Sequence, residues 1–548
     1  MSAILATSAA TLRKLPIGIQ DFPSLKEDDY LYVDKTEYIY NLINTGKYYF
    51  LSRPRRFGKS LLTSTMAAYW EGRKELFTNL KIAKLEPSSN ETPHPVFYFD
   101  FNGVNYQEGN SALENKLNSL LTDWEAIYGN EFHERQLGER FCKLLQLACE
   151  KTEQKAVVLV DEYDKPLLDV LDESELEKHN KAVFKGFFSV LKEADKYLRF
   201  VFITGVTKFE KVSIFSDLNQ LRDISFSKEY AGICGITEQE IHTNFLPEIE
   251  TLASEQDLSI DECFARIKKT YDGYHFHQNG VGVYNPFSLL NAFADREFRS
   301  YWFSTGTPTF LVNKIVKNAF EVRKLSDKTL YADEQRLSDY RANNSDLVPL
   351  LYQTGYLTLV GYDEKRRRYT LGFPNEEVKY GMLNSLLPAY APKVIEGTGM
   401  DIFSLDECLE EGDLDRIKNI FTGLFASIPY SSAGAKVGVN ASLKGGTKES
   451  DPFENYFQAV IYIIFTLIGQ FVICETHMVT GRIDCIVKTS RFIYIFEFKR
   501  DGTVDEALKQ IYEKGYELPF LADERKLYKI GVVFDSKKRT LKDWKVAE

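Results

Sequence analysis

The sequence has no Cys-x-x-Cys pair and no grouping of cysteine and histidine at metal-ligand spacing. Its seven cysteines (Cys142, Cys149, Cys234, Cys263, Cys408, Cys474 and Cys485) are scattered over 548 residues. That excludes a zinc ribbon and a disulfide framework and points to a reducing compartment, the cytoplasm. There is no basic N-terminal segment followed by an apolar run, so no signal peptide is expected in MSAILATSAATLRKLP. Low-complexity blocks and internal repeats are also missing. Positive charge is short: 68 Lys/Arg against 79 Asp/Glu give −11, which excludes a chain uniformly adapted to coat nucleic acid. Local charge differs, with fifteen Lys/Arg against twelve Asp/Glu from Thr480 onward, including Lys537, Lys538, Arg539, Lys542 and Lys545; a solvated surface accounts for that cluster equally well. One apolar stretch, Tyr456 to Cys474, approaches the length of a bilayer span. Gln458, Thr466 and Gly469-Gln470 divide it into a buried helix and a strand, so no membrane span is expected.

The length is enough for two to four hydrophobic cores. Short β-rich runs alternate with helical stretches through the first 230 or so residues, the pattern of a parallel sheet covered by helices. Its expected strands are 48–52, 96–99, 156–160 and 199–204. From Ile236 to Tyr390 the pattern is mostly helical, with a hairpin expected at 356–371, and reads as a lid or winged-helix-like region. Ser431 to Asp451, rich in Gly, Ser and Lys, reads as a loop. After it, helix, strand, hairpin strands, helix and strand suggest a second compact α/β unit. The expected division is 1–235, 236–400 and 401–548, the last including the loop 431–451.

The first chemical motif runs Arg53, Pro54, Arg55, Arg56, Phe57, Gly58, Lys59, Ser60 and Leu61, between the apolar strand KYYFLS and the helix LLTSTMAAYW. In a phosphate-binding loop, backbone N–H groups wrap the phosphates at a helix N-terminus, the lysine reaches the terminal phosphates and the hydroxyl ligates magnesium. Gly58, Lys59 and Ser60 supply the second half of GxxxxGK[ST]; Arg53 stands where the first glycine belongs. About a hundred residues on, VVLV runs into Asp161 and Glu162 at the carboxyl end of an expected parallel strand, where α/β sheets place ligands. Asp161 is expected to hold magnesium and Glu162 to polarise the attacking water. These residues point to ATP and Mg²⁺, with hydrolysis left open by Arg53. Arg55 and Arg56 fit phosphate contacts, arginine fingers across a homo-oligomer interface, or plain surface arginines. Thr204 and Thr207 fit either a sensor of the terminal phosphate or a strand-end turn.

The second constellation is Asp484 in GRIDCIV, followed after twelve residues by Glu497 and Lys499 in YIFEFKRD. Two carboxylates on neighbouring strands can hold a divalent ion that polarises a phosphate and acidifies its bound water. Lys499, two residues beyond Glu497, shares its face of the strand and can orient the water or neutralise the phosphate. Charges within apolar strands are costly without a partner or a metal, although an isolated Glu-x-Lys is more often an exposed ion pair. Glu454 offers a further carboxylate or a helix N-terminal charge, and Gln510 either approaches the site or is helix-surface polarity. Tyr512 and Tyr516 read as packing residues, Glu475 and His477 as structural.

The segments LPIGIQDF, YVDKTEYI, FLSRPRRFGKSLL, VVLVDEYDKPL and FITGVTKF resemble the AAA-ATPase-like family. ENYFQAVIYIIF, GRIDCIV, YIFEFK and EALKQIYEKGY resemble its usual partner, a domain of the PD-(D/E)XK nuclease superfamily. The resemblance covers nearly the whole chain, least firmly Leu311 to Thr398. It implies an α/β protein with a P-loop ATPase domain, a helical lid and a restriction-endonuclease-like domain in which Asp484, Glu497 and Lys499 match the nuclease motif. It further implies ATP, Mg²⁺ or at the nuclease site Mn²⁺, nucleic acid with DNA preferred over RNA, and by association a role in defence or mobile-element biology. The sequence departs from the literal pattern in the missing first glycine and in a short GRID loop in place of Pro-Asp. The competing expectation is a nucleotide-switched scaffold whose nuclease fold binds nucleic acid without cutting it.

Overall fold

A computed structural model of the chain describes residues 13–86, 92–171, 173–208, 218, 220–304, 309–318, 320, 322–325, 330–338, 346–390, 402–426, 452–469, 473–479, 482–535, 538 and 540–547. Five parallel strands open the chain: β1 (Tyr48–Ser52), β2 (Val96–Asp100), β3 (Ala156–Asp161), β4 (Leu198–Gly205) and the short β5 (Arg222–Asp223), in the spatial order β2-β3-β4-β1-β5. A parallel sheet covered on both faces needs strands that are apolar throughout. Every residue of YYFLS and AVVLVD is buried. Phe97 and Phe99 of β2 share one face and pack on Trp124, Phe141 and Phe187 from three helices. The register puts Phe200 of β4 on the opposite face, where Trp70 of the helix Lys59–Trp70 meets it. The sheet is therefore sandwiched between helical layers.

The segment from Ile236 to Asp295 is mostly helical around a two-stranded ribbon, β6 (Ile236–Thr237) with β7 (Val283–Tyr284). Two of its helices begin with reciprocal capping boxes, Thr237 with Glu240 and Ser259 with Glu262, which satisfy backbone donors that a helix start otherwise leaves open. Their apolar faces converge on Phe245, Ile249, Leu252, Ile267 and Phe293, with Ile17, Leu31 and Val33 from the N-terminal segment packed against them. The hairpin β9 (Thr358–Asp363) and β10 (Arg368–Gly372) joins β8 (Leu330–Ala332) in an antiparallel sheet. Residues 1–305 with 328–378 form one compact unit and 306–327 with 379–548 a second.

The second unit contains one mixed sheet in sequential order, β11 (Ile473–Val479), β12 (Arg482–Lys488), β13 (Phe492–Arg500), β14 (Lys526–Asp535) and β15 (Thr540–Ala547). All its pairs are antiparallel except β13 with β14, which a parallel pairing obliges to be joined by a crossover. The helix Val504–Lys514 is that crossover, and Leu508 and Ile511 bury against Ile495. Phe465, Phe496, Phe498 and Phe421 form an aromatic core beside Trp544. The apolar stretch resolves as the helix Pro452–Ile468 followed by β11. No described helix is long and apolar enough to cross a membrane.

Candidate functional sites

β4 lies between β1 and β3, so the carboxyl ends of all three, Ser52, Gly205 and Asp161, face the same end of the first sheet. The loop leaving β1 turns into the helix Lys59–Trp70 at Gly58, whose φ of 89° is left-handed and suits a residue without a Cβ. Arg56, at φ 68°, and Glu162, at φ 52°, adopt left-handed backbone despite carrying side chains. Such residues, held at a cost of roughly 1–2 kcal/mol, concentrate at functional sites.

Lys59, Ser60, Asp161 and Glu162 come together here. The Lys59 ammonium is buried, 3.3 Å from the Pro54 carbonyl and 3.6 Å from Glu162 Oε1. Asp161 is almost wholly buried. Burial pushes its carboxyl up to about 7; the Ser60 hydrogen bond and the Lys59 charge act the other way, while Glu162 and Asp100 add to the rise. A hydroxyl and a carboxylate, hydrogen-bonded and desolvated, are an oxygen donor set of the kind magnesium takes. Ser60 and Asp161 thus present oxygen donors suited to a hard divalent cation, and Glu162 is beside them on the cavity side. Arg55, Arg56, Phe57, Gly58, Lys59, Ser60, Leu61 and Glu162 line a cavity of about 620 Å³. Ile17, Ile19, Leu31, Val33, Ile233 and Phe287 add apolar surface to its lining. Phosphate-binding and apolar surfaces thus share one cleft, the composition of a ligand site.

Arg53 and Pro54 are not on that wall. The Arg53 guanidinium turns inward and donates to the carbonyls of Ser52 (2.9 Å), Ser225 (2.9 Å) and Tyr230 (3.0 Å), lying 3.9 Å over the Phe276 ring. Arg53, expected among the nucleotide-binding residues of the loop, extends β1, its N–H bonding to Gly205 O, and its side chain ties the loop base to the segment after β5. Arg55 and Arg56 are exposed on the cavity, with the Arg56 guanidinium 4.0 Å over Phe287. Thr204 donates to Leu51 O and Thr207 to Asp164, which fits the strand-end turn.

Sequence reasoning missed Asp164, although it lies in the quoted run VVLVDEYDKPL. It is buried and accepts from Val206 N, Thr207 N and Thr207 Oγ1 at 2.6–3.1 Å, fixing the turn after β4 against the Asp161 loop. Its spacing of three from Asp161 was the available signal. Lys208, buried and ion-paired to Asp223 at 3.0 Å, carried none.

In the second unit, Glu497 is fully buried at the centre of β13. Its position is directly opposite Asp484 of β12 and, on the other side, beside Gly531 of β14. Directly opposed positions of an antiparallel pair share a face of the sheet. The side chains of Asp484, Glu454, Glu475 and His477 lie outside the described residues. The Lys499 ammonium is 2.8 Å from Glu497 Oε1 and also donates to Gln510 Oε1. Gln510 thus belongs with the pair and not with the helix surface. Its helix can come this close because a Cβ on Gly531 would lie 2.8 Å from Val504 O. Thr503 and Glu506 form the capping box that starts the same helix. Among the described residues no three His, Cys, Asp or Glu side chains gather as a metal-binding group; Glu497 is the described carboxylate suited to a divalent ion here. Tyr516 packs against the Ile511 cluster. Tyr512, expected to pack, is exposed, with Lys529 over its ring at 5.0 Å.

The family model "Predicted AAA-ATPase" matches residues 16–215 and the model "PD-(D/E)XK nuclease superfamily" matches residues 452–544. A protein of Azotobacter chroococcum mcd 1, named "Uncharacterized protein in vnfD 5'region", is 36% identical over 541 residues, covering 96% of this chain and 98% of its own. No solved structure matches the chain.

Proposed function

We propose that this chain, a member of the predicted AAA-ATPase family with a C-terminal PD-(D/E)XK nuclease superfamily domain, binds and hydrolyses ATP and cuts nucleic acid. The substrate we assign is DNA in preference to RNA, with the nucleotide state gating the cut. The observation that carries this reading is the meeting of Lys59, Ser60, Asp161 and Glu162 at the ends of β1 and β3, three of them, Lys59, Ser60 and Glu162, lining one cleft. Backbone N–H groups from Arg56 to Ser60 cradle the phosphates and Lys59 neutralises the terminal ones. Ser60 and Asp161 hold Mg²⁺, which supplies charge neutralisation between the phosphates, and Glu162 takes the proton of the attacking water. In the second unit Asp484 and Glu497, with Glu454, hold Mg²⁺ or Mn²⁺, whose chemistry is to polarise the scissile phosphate. Lys499, held by Glu497 and Gln510, orients the water. The cytoplasm and a role in defence or mobile-element biology complete the proposal.

A cleavage assay over single-stranded DNA, duplex DNA and RNA, with and without ATP, tests it on wild type, Lys59→Ala, Glu497→Ala and Lys499→Ala. ATP binding is expected to be lost only in Lys59→Ala, and cutting in Glu497→Ala and Lys499→Ala. Metal-dependent cutting that survives both C-terminal substitutions overturns the nuclease assignment. ATP-independent cutting in Lys59→Ala at the wild-type rate with ATP overturns the gating.

A further inference from the structure

The loop from Arg53 to Gly58 is gripped from outside the sheet that bears it. The Trp302 indole N–H donates to the Arg55 carbonyl at 3.4 Å, and its ring packs on Tyr356 at 5.1 Å and Phe303 at 5.3 Å. One residue on, the strained Arg56 rests on Phe287. Trp302 belongs to the short helix Tyr301–Ser304, Phe287 to the helix Pro286–Asp295.

The Trp302 grip leads to one buried side chain. Glu377 is 3% exposed, and its Oε1 accepts the Trp302 backbone N–H at 2.7 Å. The Tyr301 N–H also bonds its carboxyl, and the Ser288 hydroxyl, next to Phe287, is buried without a hydrogen-bond partner. Burial raises the carboxyl to about 7, above what those donors bring it down. Tyr271 and Tyr274 are the titratable neighbours. Tyr274 Oη, Asn285 Nδ2, Ser288 Oγ and Glu377 Oε2 are buried without a hydrogen-bond partner, so the cluster favours a neutral acid that both accepts and donates.

We infer that Glu377 is a positioning residue for the nucleotide site: by fixing Trp302 it sets the Arg55 carbonyl, and through it the Arg56 backbone, in the phosphate-binding shape. The inference rests on the ATP reading above for its consequence, but the loop-setting role stands apart from it. Glu377 touches no cavity surface. It acts through Trp302.

The test compares full-length wild type, Glu377→Ala, Glu377→Gln and Trp302→Phe in Mg·ATP binding and turnover, and in amide hydrogen exchange of Arg55 to Gly58 without nucleotide. Glu377→Ala is expected to weaken Mg·ATP about tenfold and to speed exchange in the loop. Trp302→Phe, which keeps the ring and loses the indole N–H, should do the same to a smaller extent. Glu377→Gln, which still accepts from Trp302 N–H and is neutral, should behave as wild type. Wild-type loop exchange in both Glu377→Ala and Trp302→Phe overturns the inference, as does a Glu377→Gln loop as mobile as that of Glu377→Ala. If Glu377→Ala does not fold, Trp302→Phe and Glu377→Gln decide the matter by the same readouts. If wild type does not bind Mg·ATP, the ATP reading fails while the exchange data still judge Glu377.

Discussion

Arg53→Gly writes the missing first glycine into the GxxxxGK[ST] pattern, so a reading of the motif alone expects tighter nucleotide binding. The structure requires the opposite. The guanidinium serves three buried carbonyls at 2.9–3.0 Å and covers Phe276. Removing it takes a donor from each of them, Tyr230 O keeping the Ile233 N–H, at roughly 1–3 kcal/mol for each acceptor left unpaired, beside a cavity of side-chain size. Part of that loss is offset, because the cation is fully desolvated and burial pulls its pKa down. The glycine also adds about 1 kcal/mol of backbone entropy to the unfolded chain. A net destabilisation of about 3–5 kcal/mol follows for the first unit. Three of the four tryptophans, Trp70, Trp124 and Trp302, lie in that unit, so urea unfolding followed by fluorescence in a Trp544→Phe background reports on it. Arg53→Lys, which lacks the planar fork, should fall between. An Arg53→Gly protein with the wild-type midpoint and equal or tighter Mg·ATP binding would refute the reasoning.

Asp161 gives a pH signature. Its carboxyl ionises near 4 when unfolded and at about 7 when folded, so the folded state binds the extra proton between those values. Stability therefore falls as pH rises through that window and stays reduced above it. Without magnesium, Asp161→Asn should gain on wild type by up to ~2–3 kcal/mol between pH 5 and pH 8, read by thermal melting at the two pH values; a difference that does not change with pH contradicts the assignment. In the second unit, Thr503→Ala removes the cap of the helix that carries Gln510 and should cost about 1 kcal/mol. Trp544 fluorescence in a denaturant titration measures it, and Thr503→Ser should restore most of the loss.

What could be read from the sequence was local in the chain. β1 and β3 announce themselves as unbroken apolar runs because both faces of each are covered. Gly58-Lys59-Ser60 and Asp161-Glu162 are short motifs whose meaning needs only a strand before each. Asp484 and Glu497 are separated by one hairpin, so their cross-strand register follows from a single ladder. The role of the Arg53 side chain was not legible because its acceptors, Ser225 and Tyr230, lie more than 170 residues away, beyond any pattern of neighbouring residues. Glu377 was invisible for the same reason. At the start of NEEVKY it looks like an ordinary helix N-terminal acid, yet its neighbour Glu376 takes that surface role by pairing with Lys269 while Glu377 turns inward. Gln510 lay between these cases: the capping box Thr503 to Glu506 marks its helix, but only the close approach at Gly531 brings it to Lys499.

The same facts explain how a phosphate-binding loop keeps its shape without its first glycine. A glycine is needed where a Cβ would block the phosphate or where φ must be positive. At Arg53 neither condition holds: its N–H continues the β1 to β4 ladder, and its Cβ leads into the protein interior. The positive φ is displaced to Arg56, a residue with a side chain. The strain there is tolerated because the guanidinium has Phe287 beneath it and the preceding carbonyl has the Trp302 indole. The loop is thus shaped by side chains from residues 225 to 302 as well as by its own sequence. A glycine-rich loop carries its turn within itself, whereas this one depends on the helical segment packed against it, and any displacement of Trp302 or Phe287 reaches the phosphate-binding backbone directly.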